Sequence, residues 1–563
     1  MKVIIVGGVA GGASAAARIR RLNEDAQIII YERSGHISYA NCGLPYYIGG
    51  VIEDEHALTL QTPESFHRRF RIDARVRHEV TAIDTAGKTV KVRNLDTGEE
   101  FTEHYDKLLL SPGAKPTVPR LSGVDGGQIF TLRTVEDTLS IRKYIDEKHP
   151  RSVVIAGGGF IGLEMAENLR GLGLEVCIVQ RPKQVLAPLD GDMAAQLHHL
   201  LRRHGIQLRL GSTVEGFERS NGRVRTLLKG EQPLESDLVL LAIGVTPDTA
   251  LARDAGLELG VKGSIVVNER METSAADVYA VGDAVEVRHY VSGMRTLIAL
   301  AGPANRQGRI AADNICGGDS RYTGSQGSSV LKLFDMTAAA TGINEKAARE
   351  AGIDYDKVVL SPANHAGYYP GGRVMTMKVL FEKGSQRLLG AQIVGWDGVD
   401  KSIDVLATAI RCGMKAPMLA ELDLAYAPPY SSAKSPVNMA GFMIENIVTG
   451  KVRQFHWHDV DSLPRDGSVF LLDSRTPFEY ARGHAEGFIN IPVDEFRERL
   501  GEIDRSKPVY VMCQSGLRSY IATRILALNG YDCYNFSGGY RFYEMVTGDR
   551  AACASAWPCG MDR

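Results

Sequence analysis

The chain opens on a β-branched run, Lys2–Val6, followed by a glycine-rich turn, an alanine- and arginine-rich stretch at residues 13–22, and a second apolar run at residues 27–31 that ends on Glu32. A fully apolar strand, an amphipathic helix and another apolar strand in that order predict a parallel βαβ unit. The same pattern returns at Ser152–Ala156, residues 161–172 and residues 175–179, which predicts two nucleotide-binding halves. Three further apolar runs end in Gly or Pro turns: YDKLLLSPG at 105–113, LVLLAIGVTPD at 238–248 and TSAADVYAVGDA at 273–284. Strand ends of this kind face ligands in open parallel sheets. From about Gly327 the pattern becomes mixed strands and helices punctuated by HAGYYPGG (365–372) and LAYAPPYSSAKSP (424–436), a separate domain without a nucleotide fingerprint. Apolar periodicity lapses near residues 450–457, a compact α/β pattern runs over 460–545, and the last residues, GDRAACASAWPCGMDR, read as an unstructured tail.

These shifts place domain boundaries at 1–115 with 271–325, 116–270, 326–445, a linker at 446–458, 459–548, and a flexible tail at 549–563. A length of 563 residues predicts three to five domains, in line with that division. Glycine stands at 60 residues, where average usage gives roughly 40, so the excess has local work in turns. The net charge of -2 argues against a nucleic-acid or anionic-membrane surface. No run reaches the roughly 18 apolar residues of a membrane span. The apolar start, MKVIIVGGVAGG, reads as a core strand and not as a signal peptide, because its glycines fall where a strand turns into a helix. Eight cysteines without paired metal-ligand spacing point to a reducing, cytoplasmic compartment and no metal. His456-Trp457-His458-Asp459 lies in the linker and is assigned no site; His198 and His199 read as surface or packing residues, and Cys553 and Cys559 as incidental tail thiols.

Gly157, Gly158, Gly159, Phe160, Ile161 and Gly162 form a full G-x-G-x-x-G between a predicted strand and helix. The first glycine permits the turn, the second lets backbone amides reach a pyrophosphate, and the third lets helix pack on strand. Gln180 stands where an acidic residue would hold a ribose 2′-hydroxyl, with Arg181 and Lys183 beyond it, so NADH and NADPH both remain open. The N-terminal copy runs Gly7, Gly8, Val9, Ala10, Gly11, Gly12, with Val9 in place of the middle glycine and Glu32 well placed for a ribose. Together with Gly282-Asp283-Ala284, these motifs resemble the two-dinucleotide-binding flavoprotein, or pyridine nucleotide-disulfide oxidoreductase, superfamily over about residues 1–445. The resemblance implies two Rossmann-like α/β domains and an α+β dimerisation domain. It implies FAD on Gly7, Gly8, Val9, Ala10, Gly11, Glu32, Arg33, Asn41, Cys42, Val80, Ser111, Gly113, Asp283, Ala301 and Tyr426. It implies NAD(P)H on Gly157, Gly159, Phe160, Ile161, Gly162, Gln180, Arg181 and Gly244.

Cys42 lies in Ser38-Tyr39-Ala40-Asn41-Cys42-Gly43-Leu44-Pro45 with no second cysteine nearby, so an internal dithiol is not available. This setting resembles the coenzyme A disulfide and persulfide reductases, in which a single cysteine cycles through a mixed disulfide. The resemblance implies coenzyme A, as substrate or bound carrier, on Ser14, Arg18, Arg21, Ser38, Asn41 and Lys434, and a homodimer in which Tyr368 and Tyr426 reach the cysteine from the partner subunit. Arg18 and Arg21 stand three apart and share one helix face, where forked cationic donors suit a phosphate. Peroxide- and oxygen-reducing relatives use a cysteine sulfenic acid beside a histidine of the glycine-rich turn; Ala10 occupies that position here, which counts against that chemistry.

Residues 471–492 (LLDSRTPFEYARGHAEGFINIP), 509–519 (VYVMCQSGLRS) and 534–540 (YNFSGGY) place Cys513 between a strand and a helix, where backbone N–H groups stabilise a thiolate. Through D-S-R-x-P-x-E, G-H-A-x-G-x-I-N-I-P and C-x-x-G-x-R-S, residues 459–548 resemble an α/β rhodanese. Only four residues separate Cys513 from Arg518, one fewer than in related cysteine phosphatases, which favours sulfane sulfur over phosphate. The whole then predicts NAD(P)H- and FAD-dependent reduction of coenzyme A persulfide, coenzyme A disulfide or polysulfide through Cys42, with sulfur carried by Cys513 and Arg518 at its loop. The alternatives are an NADH peroxidase or oxidase using a Cys42 sulfenic acid, and a regulatory sulfur carrier with little turnover.

Overall fold

The computed structural model describes residues 1–554, with nine residues beyond them, Cys559 included, outside the described part. Its contacts divide it into two compact units, residues 1–183 with 205–327, and residues 184–204 with 328 onward.

In the first unit, Lys2–Val6 is the middle strand of a five-stranded parallel sheet ordered Val278–Ala280, Lys107–Leu110, Lys2–Val6, Gln27–Glu32, Asp73–Val76. Val3, Ile4 and Ile5 are fully buried, as a strand covered on both faces requires. Helix Ala10–Leu22 begins three residues earlier than its apolar pattern suggested, directly after the glycine turn. It packs on helix Ala301–Ile315 through small residues: a Cβ on Gly308 would run into the Gly11 carbonyl. The plan repeats in a second parallel sheet ordered Gln207–Leu210, Glu175–Gln180, Ser152–Ala156, Leu238–Leu241, Ile129–Thr131. Each sheet is accompanied in sequence by a three-stranded antiparallel sheet, His78–Asp84 with Thr89–Asn94 and Glu100–His104, and Val214–Ser220 with Arg223–Leu228 and Leu234–Ser236.

The second unit contains an antiparallel sheet ordered Ser329–Leu333, Met336–Gly342, Leu388–Gly395, Thr376–Glu382, Tyr355–Leu360, with helix Val399–Arg411 packed on it. It also contains a parallel sheet ordered Gln454–Phe455, Cys533–Phe536, Val509–Met512, Phe470–Asp473, Ile489–Asn490. Two expectations change here. The stretch taken as a linker carries the end of helix Pro436–Val448 and an edge strand, Gln454–Phe455, of the C-terminal sheet. The stretch taken as a tail from 549 is helical to Ala554, because helix Gly539–Ala554 lies against Gly191–Arg203. There Asp549 is buried and accepts from His198 Nδ1 at 2.7 Å and Arg202 Nη1 at 2.5 Å. His198 is thus an interior packing residue.

A buried charge cluster ties the unit together. Lys378 is completely buried; its Nζ lies 3.0 Å from Asp190, 2.8 Å from Asp192 and against Glu345. Lys357 adds a second cation on Glu345 at 2.7 Å, and Trp457 Nε1 donates to Asp192 at 3.0 Å. The three carboxylates stand close enough to hold a metal, but an ammonium already fills the space between them.

Candidate active sites

The two glycine turns are built alike. Gly7 (φ +96°) and Gly157 (φ +116°) adopt left-handed backbone, and a Cβ would strike the carbonyl oxygens of Ser111 and Ala242 respectively. Glu32, at the end of one strand, accepts from Gly8 N–H at 2.9 Å and from Ser34 N–H at 2.9 Å; Gln180, in the equivalent place, accepts from Gly158 N–H at 2.9 Å. Helices Ala10–Leu22 and Phe160–Gly171 both start at residues, Val9 and Gly159, that offer no side-chain cap, and a Cβ on Gly159 would meet open space. Uncapped N-termini at glycine turns leave N–H groups and positive dipole ends for a pyrophosphate, so the residues fit a dinucleotide at each turn. Ile161 and Gly162 continue the second helix, Gly244 turns at φ +120°, and Arg181 is exposed beside Gln180. In the first half, Arg33 pairs with Asp248 at 2.7 Å, Val80 is buried in its strand, Gly113 turns at φ +70°, and Ala301 is exposed at its helix start.

Cys42 sits in a short helical turn, Asn41–Gly43, its side chain reaching the surface. Its base is enclosed, and this desolvation, followed by the charge of Glu164, holds the thiol above its ordinary pKa while Arg133 opposes them. Arg133 is the hub of the site. Its Nη2 pairs with Asp283 at 2.8 Å, and the Asn41 amide, turned to satisfy both its groups, donates to the Arg133 carbonyl at 3.0 Å and accepts from Nη1 at 3.2 Å. Asp283 and Asn41, predicted from separate motifs, therefore meet through one guanidinium. Glu164 lies on helix Phe160–Gly171, which packs on Leu44–Ile48; burial and then the neighbouring Glu167 push its carboxyl up to about 7. Neither Arg133 nor Glu164 was predicted. Arg133 precedes a Thr134–Asp137 capping box and Glu164 continues a fingerprint helix, so locally each has an ordinary reason to be there.

Of the residues implied for coenzyme A, Ser14 hydrogen-bonds Asn305, Arg18 Nε pairs with Asp313 at 2.7 Å, and Arg21 is exposed. Ser38 holds a left-handed φ of +47°, its N–H donating to the Gly8 carbonyl at 2.8 Å, so the Cys42 loop is pinned to the glycine turn. Lys434, in the other unit, is exposed. There Tyr368 and Tyr426 share a hydrogen bond of 2.5 Å between their hydroxyls, with 76% and 44% of their surfaces exposed. Tyr426 also lines an open cavity of about 670 Å³ with His365, Asp397, Lys401 and Tyr430.

The C-terminal site is a loop from Cys513 to Arg518 between strand Val509–Met512 and helix Leu517–Leu528. Cys513 is fully buried, and its sulfur accepts from Gly516 N–H at 3.1 Å and Ser519 Oγ at 3.3 Å. Gly516 turns at φ +98° to aim that amide inward. Arg475, buried and bound to Asp473, reaches Gln514 Oε1 at 3.2 Å and braces the loop. Arg518 ends the loop, as expected, and gives both its outer nitrogens to Glu479, at 2.6 and 2.7 Å.

Among the described residues no helix is long and apolar enough to cross a membrane. Residues 1–308 match the pyridine nucleotide-disulphide oxidoreductase family, residues 328–436 its dimerisation domain, and residues 457–545 the rhodanese-like domain. The coenzyme A disulfide reductase of Staphylococcus aureus strain JH9 is 36% identical over 78% of this chain and 99% of its own length, and that of Staphylococcus haemolyticus is 36% identical over 79% of this chain and 100% of its own. The crystal structure of reduced Bacillus anthracis CoADR-RHD superposes with a TM-score of 0.95 at 48% identity, covering 98% of each chain. An NAD-dependent persulfide reductase from A. fulgidus gives 0.90 at 37% identity over 96% of this chain and 100% of that one. A water-forming NADH oxidase from Lactobacillus brevis is further off, 28% identical with a TM-score of 0.77, and covers 80% of this chain and 99% of its own. The chain therefore belongs to the pyridine nucleotide-disulphide oxidoreductase family, as an FAD- and NAD(P)H-dependent oxidoreductase that also carries the dimerisation domain and a rhodanese-like domain.

Proposed function

We propose that the enzyme reduces coenzyme A persulfide, and the related disulfide, through Cys42, while Cys513 carries sulfane sulfur. The observation that carries this reading is the pairing in one chain of two unlike free thiols: a surface-reaching Cys42 beside Arg133, and a buried Cys513 in an N–H-lined loop. A plain disulfide needs no sulfur carrier, so the rhodanese-like domain favours persulfide. FAD at the Gly7 turn, when bound, supplies two-electron reduction drawn from NAD(P)H at the Gly157 turn. The remaining work falls to side chains. Cys42 thiolate attacks the inner sulfur of coenzyme A persulfide, forming a Cys42–coenzyme A disulfide and expelling HS⁻; with coenzyme A disulfide it expels coenzyme A thiolate. Two electrons cleave the mixed disulfide into Cys42 thiolate and coenzyme A thiolate, and a phenol proton neutralises the leaving sulfur. Tyr368 and Tyr426 of the partner subunit are assigned that proton: a hydroxyl pair left on the surface of a domain matched to dimerisation supports a homodimer. Arg18, Arg21 and Lys434 are assigned to coenzyme A phosphates, with Arg18 leaving Asp313 on binding. Free thiols at every described cysteine fit a reducing, cytoplasmic setting.

The test follows NAD(P)H consumption and sulfide release with coenzyme A persulfide, coenzyme A disulfide and hydrogen peroxide, in wild type, Cys42→Ser and Cys513→Ser. Persulfide reduction is expected to vanish in Cys42→Ser. In Cys513→Ser, turnover of preformed persulfide should survive while turnover of polysulfide is lost. Undiminished persulfide reduction by Cys42→Ser refutes the reading.

A further inference from the structure

The arginine that ends the Cys513 loop is already spoken for. Arg518 is the guanidinium that a Cys-to-Arg loop would turn toward an anionic substrate, yet both its outer nitrogens lie on Glu479, at 2.6 and 2.7 Å. Glu479 is itself fixed: its Oε2 accepts from Thr476 N–H at 3.0 Å and Thr476 Oγ1 at 2.9 Å, in the capping box that starts helix Pro477–Ala481. Arg518 holds that carboxyl at about 2, so it stays charged at any working pH. The other guanidinium at the loop, Arg475, is equally committed, to Asp473 at 2.7 Å and the Gly483 carbonyl at 2.7 Å. Arg518 and Arg475 thus each have their own carboxylate. The residues flanking the clamp are apolar and exposed: Phe478 at 71%, Leu517 at 58% and Ile521 at 39%.

We propose that Glu479 is a specificity-determining residue of this site: by taking the bidentate edge of Arg518 it denies that edge to an oxyanion, and restricts Cys513 to sulfane donors without an oxyanion head, such as alkyl persulfides. The inference rests on Cys513 being a sulfur carrier and deepens that reading. With an alkyl persulfide, Cys513 thiolate takes the terminal sulfur, giving Cys513–S–S⁻ and the thiol RSH. With thiosulfate the same attack gives Cys513–S–S⁻ and expels sulfite, a dianion that needs the cation Glu479 has neutralised. Cyanide then removes the sulfur from either product as thiocyanate and returns the thiolate.

The full-length enzyme, with Glu479→Gln and Glu479→Asp variants, is assayed for thiocyanate formation from thiosulfate and from cysteamine persulfide. Glu479→Gln should raise kcat/KM for thiosulfate about tenfold or more, mainly through KM and with new sensitivity to salt, and leave the persulfide within about twofold. Glu479→Asp, which keeps the charge, should keep the wild-type preference. Equal changes with both donors would reduce Glu479 to a structural brace and overturn the proposal, as would no change with either. A variant-independent arm guards against misfolding: in wild type, millimolar sulfate should not protect Cys513 from alkylation, and protection there overturns the proposal. Failure of the carrier reading shows separately, since the Cys513 peptide then gains no sulfur mass from any donor, and that result removes this inference too.

Discussion

Replacing Lys378 by Met keeps the length and volume of the side chain and removes one charge from a place water does not reach. In the wild-type unit the Lys378 ammonium touches Asp190, Asp192 and Glu345, with no exposed surface. Lys357 still compensates Glu345 in the variant, and Gln392 and Trp457 still donate to Asp190 and Asp192, but these last two are neutral donors. Two carboxylates would therefore stay buried with hydrogen bonds and no cation. Breaking a buried ion pair from one side costs about 3–5 kcal/mol, and for a body of this size each kcal/mol moves Tm by roughly 2–4 °C. The expected loss is roughly 6–20 °C near neutral pH, measured by calorimetry on the full chain. The pH dependence carries a sign. In wild type, Lys378 and Lys357 hold the Glu345 carboxyl far below its ordinary value, so its stabilisation is complete above the ordinary carboxylate range and is lost only as pH falls through that lowered value. In Lys378→Met the cluster is overcharged at neutral pH, so the deficit against wild type should shrink as pH falls toward 5. Trp457 follows the edge strand Gln454–Phe455 of the C-terminal sheet and donates to Asp192, so the Trp457-dependent part of the fluorescence should report loosening there before the rest of the unit unfolds. A Tm loss under about 2 °C, or a deficit that widens on acidification, would refute the account of the cluster as a compensated buried charge.

Other predictions concern the redox half. Glu164→Gln removes the charge that, after burial, most raises the Cys42 thiol, so the pH midpoint of Cys42 alkylation should move down; Arg133→Met should move it up and also leave Asp283 without its partner. Because the folded-state value of Glu164, about 7, lies above that of an unfolded chain, stability should fall as pH rises from about 4.5 through 7, and Glu164→Gln should flatten that slope in a thermal melt. Gly157→Ala asks for a Cβ at φ +116° against the Ala242 carbonyl, and should weaken NAD(P)H binding by about tenfold or more in titration while leaving sulfur loading of Cys513 intact. Gln180→Glu places a carboxylate where a 2′-phosphate would lie, and should shift kcat/KM toward NADH; an unchanged NADH-to-NADPH ratio would mean the residue only braces Gly158.

What could be read from the sequence divides along a physical line. The two glycine turns, with Glu32 and Gln180 at their strand ends, were legible because the constraint is local: a left-handed φ or a missing Cβ is a property of one residue, and the ladder fixes the distance to the next strand end. Cys513 was legible for the same reason, since the N–H group that meets its sulfur belongs to its own loop. Arg133 was not, because its partners Asp283 and Asn41 arrive from opposite ends of the first unit's sequence and nothing in Leu132-Arg133-Thr134 distinguishes it from a helix lead-in. The edge strand Gln454–Phe455 is too short for a period to show, and the helical run through Asp549 is secured by His198 and Arg202, hundreds of positions away. Arg518 gives the sharpest lesson. Motif reading finds Arg518 at the end of the cysteine loop and Glu479 in a separate motif; the structure adds that the outer nitrogens of the arginine lie on that carboxylate. A motif therefore states which groups a site contains, whereas side-chain pairing decides which charges remain for a substrate. At the Cys513 loop that difference separates a site open to oxyanions from one reserved for persulfide sulfur.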